Sequence, residues 1–121
     1  MRTSAASAKA TPAAIGAADA VALKKLVRQA GEAAQHLKLL ANEKRLLILC
    51  FLAARGEMTV GELASAVELS QSALSQHLAK LRADGLVTFR RASQTLHYSV
   101  ADRRTLQLLQ VLKDIFCGDL K

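Results

Sequence analysis

Large rings are scarce in this chain. Aromatic residues make up 3 % of its 121 residues, and tryptophan is absent. The core must therefore be aliphatic, built from Leu, Ala, Val and Ile, a composition that favours helix packing. Cysteine is also short: Cys50 and Cys117 alone are too few for the disulfide framework of a small secreted domain. No apolar run approaches transmembrane length, and the Ala-rich start, RTSAASAKATPAAIGAADA, lacks the compact Leu-rich stretch of a signal peptide. These shortages predict a cytoplasmic protein, mainly helical, with thiols reduced at rest and no membrane partner.

Acidic residues are the next shortage. Ten Asp and Glu stand against 17 Lys and Arg, for a net charge of +7. That balance predicts an anionic partner, nucleic acid before an acidic membrane surface. A membrane-surface module is the weaker choice, because no amphipathic segment joins a basic face to bulky aromatics. The charge is clustered. Five basic residues and one acidic lie between Met1 and Arg28, and six basic and two acidic between Ser70 and Arg104. The second cluster sits inside patterned sequence and is the better candidate for a shaped binding surface.

Hydrophobic residues make up 51 % of the chain, enough for a real core in one domain. A small helical chain exposes much of its apolar surface, and a homodimer would bury it. Residues 1–18 are small and low in complexity and contain the only proline, Pro12, so they read as a flexible tail ahead of a domain over 19–121. Leu23, Leu26, Ala30, Ala33, Leu37 and Leu40 then form a helical stripe. Asn42 can cap a second helix, EKRLLILCFLAAR, that ends at Gly56. Thr59 to Glu62 matches a capping box opening a short third helix to about Val67. Ser70 can cap a fourth, running to about Ala83 and ended by Asp84-Gly85. Leu86 to Arg91 and Thr95 to Val100 alternate as strands around Ala92-Ser93-Gln94, and Asp102 caps a last helix with Leu106, Leu109, Leu112 and Phe116 on one stripe. The expected fold is mainly α (α+β), in the order α-α-α-α-β-β-α, a winged helix-turn-helix.

The short link at Glu68-Leu69 forces a sharp angle between the third and fourth helices. In the fourth, Leu74, Leu78 and Leu81 fall at i, i+4 and i+7 and would bury one face. Gln71, Ser72, Ser75, Gln76 and, at its edge, His77 crowd the other. Such groups donate and accept hydrogen bonds at base edges in a major groove, and they lie toward the end a recognition helix presents to bases. Lys80 and Arg82 come later, where phosphates would be met. An ordinary surface helix rich in Ser and Gln is the plainer reading. The basic hairpin that follows weighs against it. Arg90 and Arg91 end its first strand and Gln94 and Thr95 follow its turn, as in a wing that reaches phosphates or a minor groove. The plainer reading of the hairpin is an edge strand protected by charge. Arg90 and Arg91 are adjacent and should point to opposite sides, so only one would make the closest DNA contact.

From about Leu37 to Cys117 the sequence resembles the ArsR/SmtB family of winged-helix repressors. The resemblance is carried by LKLLANEKRLLIL, GEMTVGELA, LSQSALSQHLAKLRADGLV and the wing ending in HYSV. It implies a dimer, formed mainly by the first and last helices, on an inverted-repeat operator in double-stranded DNA. One departure is Ser93, where the family often has Gly in the wing turn. Metal-sensing members use thiolates in the third helix or Asp and His in the last. Here the third helix has no Cys and the last no His, while His36, His77 and His97 lie on three elements, so no metal site and no cofactor are expected.

Cys50 sits in the apolar run LLILCFL, the usual setting of a buried structural thiol, and Cys117 near the end of the last helix. The residues alone leave open whether the two act together. The resemblance adds that one branch, the persulfide-sensing repressors of the SqrR/BigR type, has cysteines at both placements. It implies that reactive sulfur species join Cys50 and Cys117 in an intraprotomer di- or polysulfide bridge that lowers operator affinity. A general redox or soft-metal sensor, for zinc or arsenite, is the alternative use of the same thiols. Enzyme chemistry is not expected, since neither a CxxC nor a phosphate-binding loop is present.

Overall fold

The computed structural model describes residues 20–118. Five helices and three short strands follow in order: α1 (Ala20–Leu40), α2 (Glu43–Arg55), β1 (Met58–Thr59), α3 (Val60–Val67), α4 (Gln71–Ala83), β2 (Val87–Ala92), β3 (Thr95–Val100) and α5 (Arg103–Cys117). The sheet is antiparallel in the order β1-β3-β2. This is the expected winged helix-turn-helix with one addition, the two-residue β1, too short for any alternation to announce it. The expected flexible tail, residues 1–18, lies outside the described residues. The chain forms two compact units, one through Lys38 and one from Leu39 onward.

Within the first unit, α1 runs without a break to its last turn, and Val21, Leu23, Leu26, Val27 and Leu37 are exposed. Within the second, local signals place each element. The Asn42 side chain accepts the Arg45 amide at 3.0 Å and opens α2, and Gly56 ends it with φ +86. Thr59 and Glu62 close the capping box in both directions: Thr59 Oγ1 accepts the Glu62 amide and Glu62 Oε1 accepts the Thr59 amide, at 3.2 and 2.9 Å. Ser70 Oγ takes the Ala73 amide at 3.1 Å and opens α4. Each such cap satisfies a backbone donor that the first turn otherwise leaves unpaired.

The turn between α3 and α4 depends on Glu68, which adopts φ +57. Lys44 Nζ donates to the Val67 carbonyl at 3.4 Å and ties this corner to α2. Ile48, Leu49 and Leu52 from α2, Leu63 from α3, and Leu74, Leu78 and Leu81 from α4 are fully buried in one aliphatic core. Burying each contributes about 1.5–3 kcal/mol of hydrophobic stabilisation before ordering costs. After α4, Gly85 turns at φ +80, and the Leu86 amide donates to the Leu81 carbonyl at 2.9 Å. Leu86 is spent on that cap, so β2 starts one residue later than its alternation suggests and extends to Ala92. The hairpin turn is then Ser93-Gln94 alone. Ser93 takes φ +57, a conformation glycine adopts more readily, which accounts for the family's frequent Gly there.

The last helix differs from expectation. Leu109 is buried and Leu108 and Leu112 are half-buried, but Leu106 and Phe116 of the expected stripe are 42 % and 77 % exposed. The core side is set instead by Thr105, fully buried beside the cap: Asp102 Oδ2 accepts the Thr105 hydroxyl at 2.7 Å and its amide at 3.0 Å.

Candidate nucleic-acid interface and thiol pair

The leucine face of α4 is sealed, which turns the opposite face outward. Gln71, Ser72, Ser75 and Gln76 are exposed and His77 is half-buried at the edge. Gln71 lies over the start of α3, where a Cβ on Gly61 would come 3.7 Å from its Nε2. Lys80 and Arg82 are exposed in the last turn. No acidic residue occupies the first turn of α4, so its partial positive end is unopposed by a local carboxylate.

The wing stands beside this helix, joined to it through side chains. The Arg82 guanidinium carbon lies 4.1 Å from the centre of the Phe89 ring on β2, and Phe89 packs on Tyr98 of β3 with ring centres 5.3 Å apart. A guanidinium stacked this way keeps its N–H edge available to an acceptor. The two adjacent wing arginines have different surroundings. Arg90 donates through Nε and Nη2 to the two carboxylate oxygens of Glu57, at 2.7 and 2.9 Å. These hydrogen bonds draw the Glu57 carboxyl below its ordinary range and raise Arg90, with burial opposing in both. Arg91 is exposed, and Gln94 and Thr95 are exposed at the turn. Gln94, Thr95 and Leu96 line a shallow cleft of about 360 Å³ with Thr59, Val60 and Gly61 at the start of α3. The structure therefore brings the predicted residues of α4 and the wing together, but it commits Arg90 to a carboxylate 33 positions away. Glu57, Phe89 and Tyr98 are the residues sequence reasoning missed. No spacing rule links Glu57 to Arg90, and no signal in the sequence pointed to the pair.

The thiols lie on the neighbouring helices α2 and α5. Both are reduced. Cys50 is half-buried against the core and Cys117 is exposed. Burial pushes the Cys50 thiol up from its ordinary value, and the nearby Cys117 raises it further through charge repulsion. The partners are unequal: a sheltered thiol and an accessible one. Among the described residues, no three His, Cys, Asp or Glu side chains converge as a metal site would require, and no helix is long and apolar enough to cross a membrane.

Known structures with this fold are numerous. Residues 42–88, from the α2 cap to the start of the wing, match the bacterial regulatory proteins of the arsR family. The nodulation protein NolR of Rhizobium meliloti is 54 % identical over 72 % of this chain and 70 % of its own. The structure of reduced HlyU from Vibrio cholerae is 45 % identical, covers 78 % of this chain and 98 % of its own, and superposes with a TM-score of 0.71. The transcriptional repressor BigR from Xylella fastidiosa is 36 % identical over 81 % and 96 % of the two chains, with a TM-score of 0.70. On fold, helix-turn-helix and sequence together, this chain belongs to the arsR family of bacterial regulatory proteins.

Proposed function

We propose that this protein is a cytoplasmic DNA-binding transcriptional repressor whose operator affinity is lowered when reactive sulfur species join Cys50 to Cys117. The observation that carries this reading is the pair of free thiols on the neighbouring helices α2 and α5, outside the DNA-reading elements. In the reading, Gln71, Ser72, Ser75, Gln76 and His77 meet base edges, and Lys80, Arg82, Arg91, Gln94 and Thr95 meet backbone and groove. The exposed Leu106, Val111, Ile115 and Phe116 of α5 support a homodimer, whose two recognition helices suit an inverted repeat. The relative BigR is described as a transcriptional repressor, which favours repression here.

The sulfur chemistry balances without an added oxidant. A thiol takes the outer sulfur of a persulfide RSSH and releases RSH. The second thiol then attacks the protein-side sulfur and expels hydrogen sulfide, leaving a disulfide between the cysteines. The exposed Cys117 suits the first step and the sheltered Cys50 the second, since access decides which thiol meets the persulfide first. A bridge would tie α5 to α2, and a tilt of the dimer would spoil the half-site spacing of about one helical turn.

The test is fluorescence anisotropy on a duplex selected from a randomised library by the reduced protein. Glutathione persulfide should release it from the wild type and leave the Cys50→Ser, Cys117→Ser double variant bound. Release of that variant would end the dithiol mechanism. Stoichiometric zinc or arsenite binding that depends on both cysteines, with no bridge by mass spectrometry, would assign the thiols to a metal instead.

A further inference from the structure

We infer that Glu57 is a positioning residue for operator recognition: with Arg90 it braces the wing against the α2–β1 junction, and it leaves Arg91 as the wing's phosphate contact. The inference rests on the DNA-binding reading above and goes beyond it by dividing two adjacent arginines between two tasks.

Strand register separates the pair. Across β2 and β3, Phe89 faces Tyr98, Arg90 faces His97 and Arg91 faces Leu96. Alternation puts Arg91 on the sheet face of Phe89 and Tyr98, the face against which Arg82 of the recognition helix is stacked. Arg90 takes the other face, in the row that crosses His97 to Thr59 of β1. Its fork is occupied there by both oxygens of Glu57. A bidentate arginine–carboxylate pair fixes orientation as well as distance, and it takes up the Nε–Nη2 edge of Arg90 and neutralises its charge locally, which makes Arg90 the poorer phosphate ligand of the two.

Glu57 is itself anchored. The next residue, Met58, is buried in the core and pairs with Tyr98 in the sheet. A carboxylate held there is costly to a surface that approaches DNA unless its charge is matched. Arg90 matches it. The wing is then held at two points: Arg90 to Glu57 on one face, and Phe89 to Arg82 on the other. Its angle to α4 sets whether groove and wing contacts are made on the same turn of DNA.

Anisotropy titrations on the selected duplex and on a random-sequence duplex of equal length, each over a range of salt, test this. Glu57→Gln and Arg90→Gln should each lower the ratio of selected to random affinity. For Arg90→Gln the slope of log affinity against log salt should not change. The swap Glu57→Lys, Arg90→Glu should restore the ratio, because it restores the pair while leaving no cation at position 90. Arg91→Gln should lower the salt slope by about 0.9, the value of one phosphate, on both duplexes. Thermal unfolding midpoints near wild type confirm that each variant is folded. An unchanged ratio in Glu57→Gln overturns the inference. So does a loss of one phosphate's slope in Arg90→Gln that the swap does not recover. If the wild type prefers no duplex in the library, the DNA-binding reading fails first, and that result differs from either of these.

Discussion

Helices α4 and α5 are of similar length, 13 and 15 residues, and both carry leucines on one side. They end in opposite conditions. On α4, Leu74, Leu78 and Leu81 are fully buried, and what remains outside is polar apart from Ala79 and Ala83. On α5, Leu109 is buried while Val111, Ile115 and Phe116 are more than half exposed. The fold completes one helix and leaves the other unfinished. A helix completed by its own chain can hold side chains rigidly toward a ligand. A helix left apolar on the outside suits a second copy.

This contrast can be broken first at the core. Leu78→Ala should cost about 2–5 kcal/mol in unfolding free energy, measured with denaturant, because the cavity cannot be filled by solvent. Phe116→Ala should cost the isolated protomer much less, measured at protein concentrations below the dimer dissociation constant, and should raise that constant in sedimentation. Equal unfolding losses in the two variants would erase the distinction between the helices. Gln76→Ala should cost about 1–3 kcal/mol on the selected duplex and relax base preference there, if its amide reads a base edge. An equal loss on random DNA would move Gln76 to the backbone contacts.

Smaller effects sharpen the same comparison. Asp102→Ala removes the cap of α5 and leaves the buried Thr105 hydroxyl without this acceptor, for a loss of about 1–2 kcal/mol in unfolding free energy. Alkylation should label Cys117 well before Cys50 at neutral pH. Because the folded Cys50 thiol titrates above its ordinary value near 9, its labelling should accelerate only in alkali. The sign for stability follows: the contribution is complete below that value and fades as pH rises through the higher folded one. Early labelling of Cys50 would contradict its sheltered position. Glu68→Gly should stabilise by about 0.5 kcal/mol in the same denaturant assay, since only glycine takes φ +57 freely.

What was legible in the sequence was local. Asn42, Thr59 with Glu62, Ser70 and Asp102 announced their helices because a cap is a contact between residues three apart. The leucines of α4 announced their burial because one helix face repeats every three or four residues. The polar residues opposite followed as its outer surface. The stripe on α5 misled for a related reason. Periodicity shows that a helix has an apolar side, but only packing shows how much of that side the chain itself covers. Long-range partners left no trace. The grip of Glu57 on Arg90 arises when the hairpin pairs with β1, and the stack of Arg82 on Phe89 when β2 folds back beside α4; nothing local encodes either meeting.

The strand β1 carries a last consequence. Thr59 is both its final residue and the cap of α3, so strand passes into helix with no intervening loop. A hinge needs slack, and this junction has none. The amides of β1, its partner residues on β3 and the first turn of α3 should therefore exchange hydrogen with solvent as one cooperative unit. Opening the base of the wing would require unwinding the helix-turn-helix with it.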